Sequence, residues 1–140
     1  MQDGNLRLRL REINNLLAIN VTDPLVASHW GRYMCIIVSG FLESALHTVY
    51  RNYASQASDR NVANYVSGQL RRVRNPNTDR FIEITRAFNQ DWGNDLSEFI
   101  DGNGRRRAIN EIQRHRNLNA HDQQSEITLA EVRELSLIHI

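Results

Sequence analysis

Lysine is missing from this sequence, and cysteine, proline and glycine are scarce. Seven glycines and two prolines in 140 residues argue against a turn-rich all-β fold and against disorder. The single cysteine, Cys35, excludes an internal disulfide framework and any cysteine-based zinc site. It lies in the apolar run Tyr33-Met34-Cys35-Ile36-Ile37 and reads as an inert core thiol. No apolar run approaches the roughly 18 residues of a membrane span. The opening MQDGNLRLRLRE lacks the apolar centre of a signal peptide. The expectation is therefore a cytoplasmic protein without a membrane partner. No repeat, low-complexity tract or linker divides the chain, so residues 1–140 read as one domain, long enough to bury a core without a staple. With lysine absent, all 17 basic residues are arginine, against 16 acidic ones, for a net charge of +1. That balance is unlike a protein that coats duplex DNA by bulk electrostatics. Genomic base composition is enough to explain the arginine bias, which by itself identifies no function.

What is present is helical periodicity. Residues 5–20 place Leu6, Leu10, Ile13, Leu16 and Leu17 at helical spacing. Thr22-Asp23-Pro24 is a helix start, because proline needs no N–H in a first turn. The helix it opens runs from 24 to about 56, with an expected inward stripe of Val26, Trp30, Tyr33, Ile37, Phe41, Ala45 and Val49. Ser39-Gly40 in its middle suggests a close helix approach, since a mid-helix glycine otherwise costs about 1 kcal/mol. A third helix is expected at about 59–73, with Val62, Tyr65, Val66 and Leu70 inward and Arg71, Arg72 and Arg74 at its negative end. A fourth follows at about 78–89, capped by Thr78, with Phe81, Ile84 and Phe88 inward. A short fifth at about 91–100 carries Trp92, Leu96, Phe99 and Ile100. After a loop at 101–104 comes a helix over 105–120 using Ala108, Ile109, Ile112 and Leu118. Thr128-x-x-Glu131 reads as a capping box for a last helix, 129–138. The fold class is all-α: an up-and-down bundle of about six helices.

One segment carries chemistry: Glu111-Ile112-Gln113-Arg114-His115-Arg116-Asn117-Leu118-Asn119-Ala120-His121-Asp122. Polar and cationic side chains crowd the end of a helix whose first half is amphipathic. Arg116, Asn117 and His121 make the pattern R-N-x-x-A-H. This resembles the R-x(4–6)-H signature of HEPN domains. The stretch SGFLESALHTVYRNYA at 39–54 resembles the second helix of those HEPN domains that accompany RNA ligase and phosphoesterase modules. The resemblance spans about 24–138. It implies a HEPN-like bundle and a metal-independent endoribonuclease, commonly a homodimer with both signatures lining a shared cleft. In such enzymes the RNA 2′-OH attacks the adjacent phosphorus and leaves a cyclic phosphate and a 5′-OH. The residue types suit that chemistry. Histidine titrates near neutrality, so His121 can move the proton. Arg116 can fork onto phosphate oxygens and stabilise transition-state charge. Asn117 can orient the phosphate or the imidazole. No cofactor and no metal are expected.

Helix geometry leaves one choice open. Arg116 and His121 lie roughly 140° apart on an ideal helix, whereas Arg114 and His121, seven apart, share a face. Arg116 is the first candidate because Asn117 follows it; Arg114 is the second. Glu43 and His47 are four apart on one helix face: either they form a local pair, or Glu43 orients His121 or Arg116. The arginine clusters at 71, 72, 74 and 105–107 read either as RNA phosphate contacts or as a solvated face. The functional expectation is an RNA-cleaving HEPN homodimer in a bacterial toxin–antitoxin or defence setting, restrained by an antitoxin or nucleotidyltransferase partner. The alternative is a non-catalytic HEPN module that dimerises or binds RNA or nucleotide.

Overall fold

The computed structural model describes residues 2–120. The expected helix at 129–138, its capping box and His121 lie outside the described residues. Among the described residues six helices form: α1 (Gln2–Leu17), α2 (Pro24–Ala57), α3 (Arg60–Leu70), α4 (Thr78–Phe88), α5 (Gln90–Asp101) and α6 (Arg105–Ala120). The all-α bundle expected from periodicity is the fold observed.

Side-chain caps decide where these helices start. The Asp23 carboxylate accepts from the backbone N–H groups of Leu25 and Val26 at 2.9 and 3.0 Å, with Pro24 in the first turn. Asp59 caps α3 through Val62 N–H at 3.0 Å. At α4 the cap is Asn77, bonded to Arg80 N–H at 2.9 Å, not the expected Thr78. Thr78 is one residue further in and fully buried. Its hydroxyl donates to Asn110 Oδ1 of α6 at 3.1 Å and accepts from Arg106 at 3.2 Å, which locks α4 onto α6. A hydroxyl this buried must have partners, and the sequence pattern could not reveal a partner 32 residues away.

α2 is the spine, packed against α1, α3 and α6, while α5 packs on α4 and touches α6. By length and composition α2 also passes as a membrane-crossing helix, although it carries Arg32, Glu43 and Arg51. Two cores sit along it. One joins Ile13 and Leu17 of α1, Met34, Cys35 and Val38 of α2, and Ile112 of α6. The other joins Leu46 with Leu70, Val73 and Ile84, flanked by Tyr50 stacked on Phe88 with ring centroids 4.6 Å apart. The inward stripe expected for α2 is out of phase by about one residue. Val26, Tyr33 and Val49 are exposed, Trp30, Ile37 and Phe41 are half-buried against the first core, and Gly31, Met34, Cys35, Val38, Leu46 and Ala54 are buried. A helix apolar on several faces, with different neighbours along its length, shows no single phase in its sequence. Val62 and Tyr65 of α3, expected inward, are also exposed, as is Phe99 of α5. Phe99 is covered by the Arg105 guanidinium, 3.9 Å above its ring.

Two glycines differ in role. Gly40 was expected to mark a close helix approach, yet a Cβ built there meets nothing within 4 Å. Gly93 is the tight one: α4 ends and α5 begins at Asn89, and a Cβ on Gly93 would lie 2.5 Å from Arg86 Cβ and 2.7 Å from Arg86 Cα. Gly93→Ala should therefore destabilise the bundle by about 1–3 kcal/mol through overpacking. Gly40→Ala, in open space, should stabilise it by up to about 1 kcal/mol. Urea unfolding of the two variants beside the wild type checks both signs.

Candidate functional site

The periodicity that packs α6 also aims its arginines. Ala108 and Ile112 are fully buried, and Arg116 follows one turn later on the same stripe. Arg116 therefore faces α2. Arg114, roughly 200° around from Ile112, faces outward, where it lies 3.5 Å from Glu111. Of the two arginines left open by the sequence, Arg116 is the one turned toward α2. His115 is buried, 3.7 Å from the Glu111 carboxylate.

Arg116 closes a cleft of about 390 Å³ whose remaining walls come from α2, among them Gly40, Glu43, Ser44, His47 and Arg51. The cleft lies midway along α2, between the two cores. Its floor is open because Gly40 has no side chain. Arg51 at its far end has no carboxylate within ion-pair distance among the described residues.

A connecting loop, residues 71–77, is held by two of the α2 side chains that line the cleft. His47 Nε2 bonds the Val73 carbonyl at 2.9 Å. A carbonyl only accepts, so Nε2 carries the proton. One turn earlier, Glu43 accepts from the backbone N–H of Asn75. Glu43 and His47 are thus partners of the loop rather than of each other. Among the described residues the Glu43 carboxylate is bonded to the Asn75 amide, and it lines the same cleft as Arg116. Asn75 has φ +44°, a left-handed conformation that asparagine tolerates better than most residues. Its side-chain Nδ2 donates to Asn117 Oδ1 at 2.7 Å, and Arg116 lies 3.5 Å from the same oxygen. Glu43, Asn75, Asn117 and Arg116, drawn from α2, the 71–77 loop and α6, form one polar cluster. His121 lies outside the described residues.

Sequence reasoning missed Asn75 and Arg51. Asn75 showed only as part of a chain-breaking Asn-Pro-Asn turn, and Arg51 as one polar residue on a long helix. The arginine clusters divide. Arg106 binds Asp79 at 2.6 Å and Asp101 at 2.7 Å, and these hydrogen bonds, Asp101 first and then Asp79, raise its already high pKa further. Arg105 donates to the Phe99 carbonyl at 2.9 Å. Both serve the junction of α4, α5 and α6. A larger groove of about 550 Å³, lined by Tyr53, Val62, Tyr65, Leu70 and Phe88 among others, runs between α2, α3 and α4. It is mainly aliphatic and aromatic, with Arg80 and Glu83 but no histidine in its lining.

Among known families, the family model that matches is RiboL-PSP-HEPN, over residues 5–138. No curated protein and no solved structure matches the chain.

The loop anchor is open to direct test. Glu43→Ala should accelerate hydrogen exchange at the Asn75 amide by at least about tenfold, the equivalent of losing a charge-assisted bond of about 1.5–3 kcal/mol. Amide exchange read by two-dimensional NMR checks it, with the buried helix amides around Ile112 as the unaffected control.

Proposed function

Since the chain belongs to the RiboL-PSP-HEPN family, we propose that this HEPN module is a metal-independent endoribonuclease. The observation that carries this reading is the use of Arg116 and Asn117. Arg116 lines a polar cleft, no described carboxylate pairs with it, and the Asn117 amide stands beside it at 3.5 Å. Arg105 and Arg106, by contrast, are committed to holding helices together.

The reaction divides among three residues. His121 takes the proton from the RNA 2′-OH, and the freed oxygen attacks the adjacent phosphorus. The O2′–P bond forms as the P–O5′ bond breaks, and the departing O5′ receives a proton. The products are a 2′,3′-cyclic phosphate and a 5′-OH. Nothing is oxidised or reduced, and no water is consumed. Arg116 lays its planar fork on the non-bridging phosphate oxygens as negative charge builds there. Asn117, adjacent in sequence, orients the phosphate through its amide. The protein works as a homodimer with paired clefts, in the cytoplasm and in a toxin–antitoxin or defence setting, with an antitoxin or nucleotidyltransferase as the restraining partner. This setting follows from family analogy.

A mixed RNA incubated in EDTA tests the reading. Wild type should release fragments ending in cyclic phosphate and leave DNA of the same sequence intact, because DNA lacks the attacking hydroxyl. His121→Ala should lose about 10²–10⁴-fold in rate, and Arg116→Lys about 10²–10³-fold, because an ammonium cannot reproduce the fork. RNA binding without cleavage by folded wild type would replace this reading with that of a binding module. Equal cleavage by His121→Ala would remove the assigned site.

A further inference from the structure

We infer that Asn75 is a positioning residue of the proposed ribonuclease site, acting on substrate through Asn117. The inference rests on the ribonuclease reading above.

The geometry behind it is a chain of contacts across three elements. Glu43 of α2 holds the backbone N–H of Asn75, and the Asn75 side chain holds Asn117 of α6 at 2.7 Å. These contacts bridge 32 and 42 residues of sequence, so neither is a local turn preference. The direction of the second bond has a chemical consequence. Asn117 Oδ1 faces two N–H donors, Asn75 Nδ2 at 2.7 Å and Arg116 at 3.5 Å. Hydrogen-bond partners decide which way an amide points. With its oxygen turned to these donors, the Asn117 NH₂ group must point the other way. Asn117 is exposed, so that NH₂ is presented to solvent beside Arg116. Two donors of different type, a guanidinium and an amide, then stand together for the oxygens of one phosphate. Without Asn75, the Asn117 amide is free to flip and present its oxygen, which repels a phosphate.

Asn75 also carries signs of a residue kept for something other than stability. It holds a left-handed backbone, and its own Oδ1 is buried without a hydrogen-bond partner among the described residues. A buried acceptor left unpaired costs free energy, and sites of this kind concentrate where function demands them. Glycine would adopt the backbone equally well, so the positive φ alone does not call for asparagine. Only the amide makes the bond to Asn117.

Asn75→Gly is therefore the informative variant: it keeps the left-handed backbone and the N–H held by Glu43, and removes only the amide. The expected result is a kcat lower by about 10- to 100-fold, the scale of a misplaced catalytic contact, with KM within about threefold and an unchanged Tm. Asn117→Ala should lose about as much. The double variant should be no worse than Asn117→Ala alone, because the two residues act as one unit. Asn75→Ala, which also lacks the amide, should repeat the loss. Wild-type kcat in Asn75→Gly, or losses that multiply in the double variant, would overturn the inference. A kcat loss matched by a falling Tm in both Asn75 variants would also overturn it, by making the residue structural. These outcomes leave the ribonuclease reading standing. Failure of the wild type to cleave RNA would instead bring down that reading and this role with it.

Discussion

The arrangement of the site depends on one packing contact, that of Ile112 against α2. Ile112 is sealed from solvent among Met34, Cys35, Val38 and two residues of α1. Close packing of this kind tolerates little rotation of a helix about its axis. Once Ile112 is seated, Arg116 one turn later must face α2 and Arg114 must face outward. The orientation of the arginine in the cleft is thus a by-product of the core. Among the described residues no carboxylate forms an ion pair with its guanidinium.

The second requirement is that the loop carrying Asn75 stays in place. The loop at 71–77 follows a short helix with a single buried residue, Leu70, and apolar burial alone holds it weakly. Val73 contributes one buried side chain, and its carbonyl is held by His47 while the next amide but one is held by Glu43. Backbone groups satisfied by side chains of a long helix give the loop the register of that helix. The same bonds explain why α2 carries a glutamate and a histidine four apart next to an apolar core. They also leave Gly40 facing the cleft, where a larger side chain would fill the space.

The arginines show how one residue type divides its work. Arg106 joins α4, α5 and α6 through Asp79 and Asp101, and Arg105 covers Phe99. These positions are exposed enough for water to screen their ion pairs, so each contributes orientation more than stability. Arg116 and Arg51 line the cleft, and no carboxylate among the described residues forms an ion pair with either.

By itself the sequence determined the all-α class, the order of the helices, the start of α2 at Asp23-Pro24, the loop near residue 102 and the segment that carries the signature. Those features rest on local physics: 3.6-residue periodicity, capping groups and chain breakers act within a few residues of one another. Only the tertiary structure decided which face of α2 is buried, that Thr78 plugs into α6 while Asn77 caps α4, that Gly40 opens a cleft instead of admitting a helix, and that Arg116 rather than Arg114 lines it. It alone brought Glu43, Asn75 and Asn117 together. The physical reason is the same in each case. A helix with several apolar faces can be rotated without violating its own pattern, and a polar side chain records nothing of a partner more than 30 residues away. Both are settled only when the cores close.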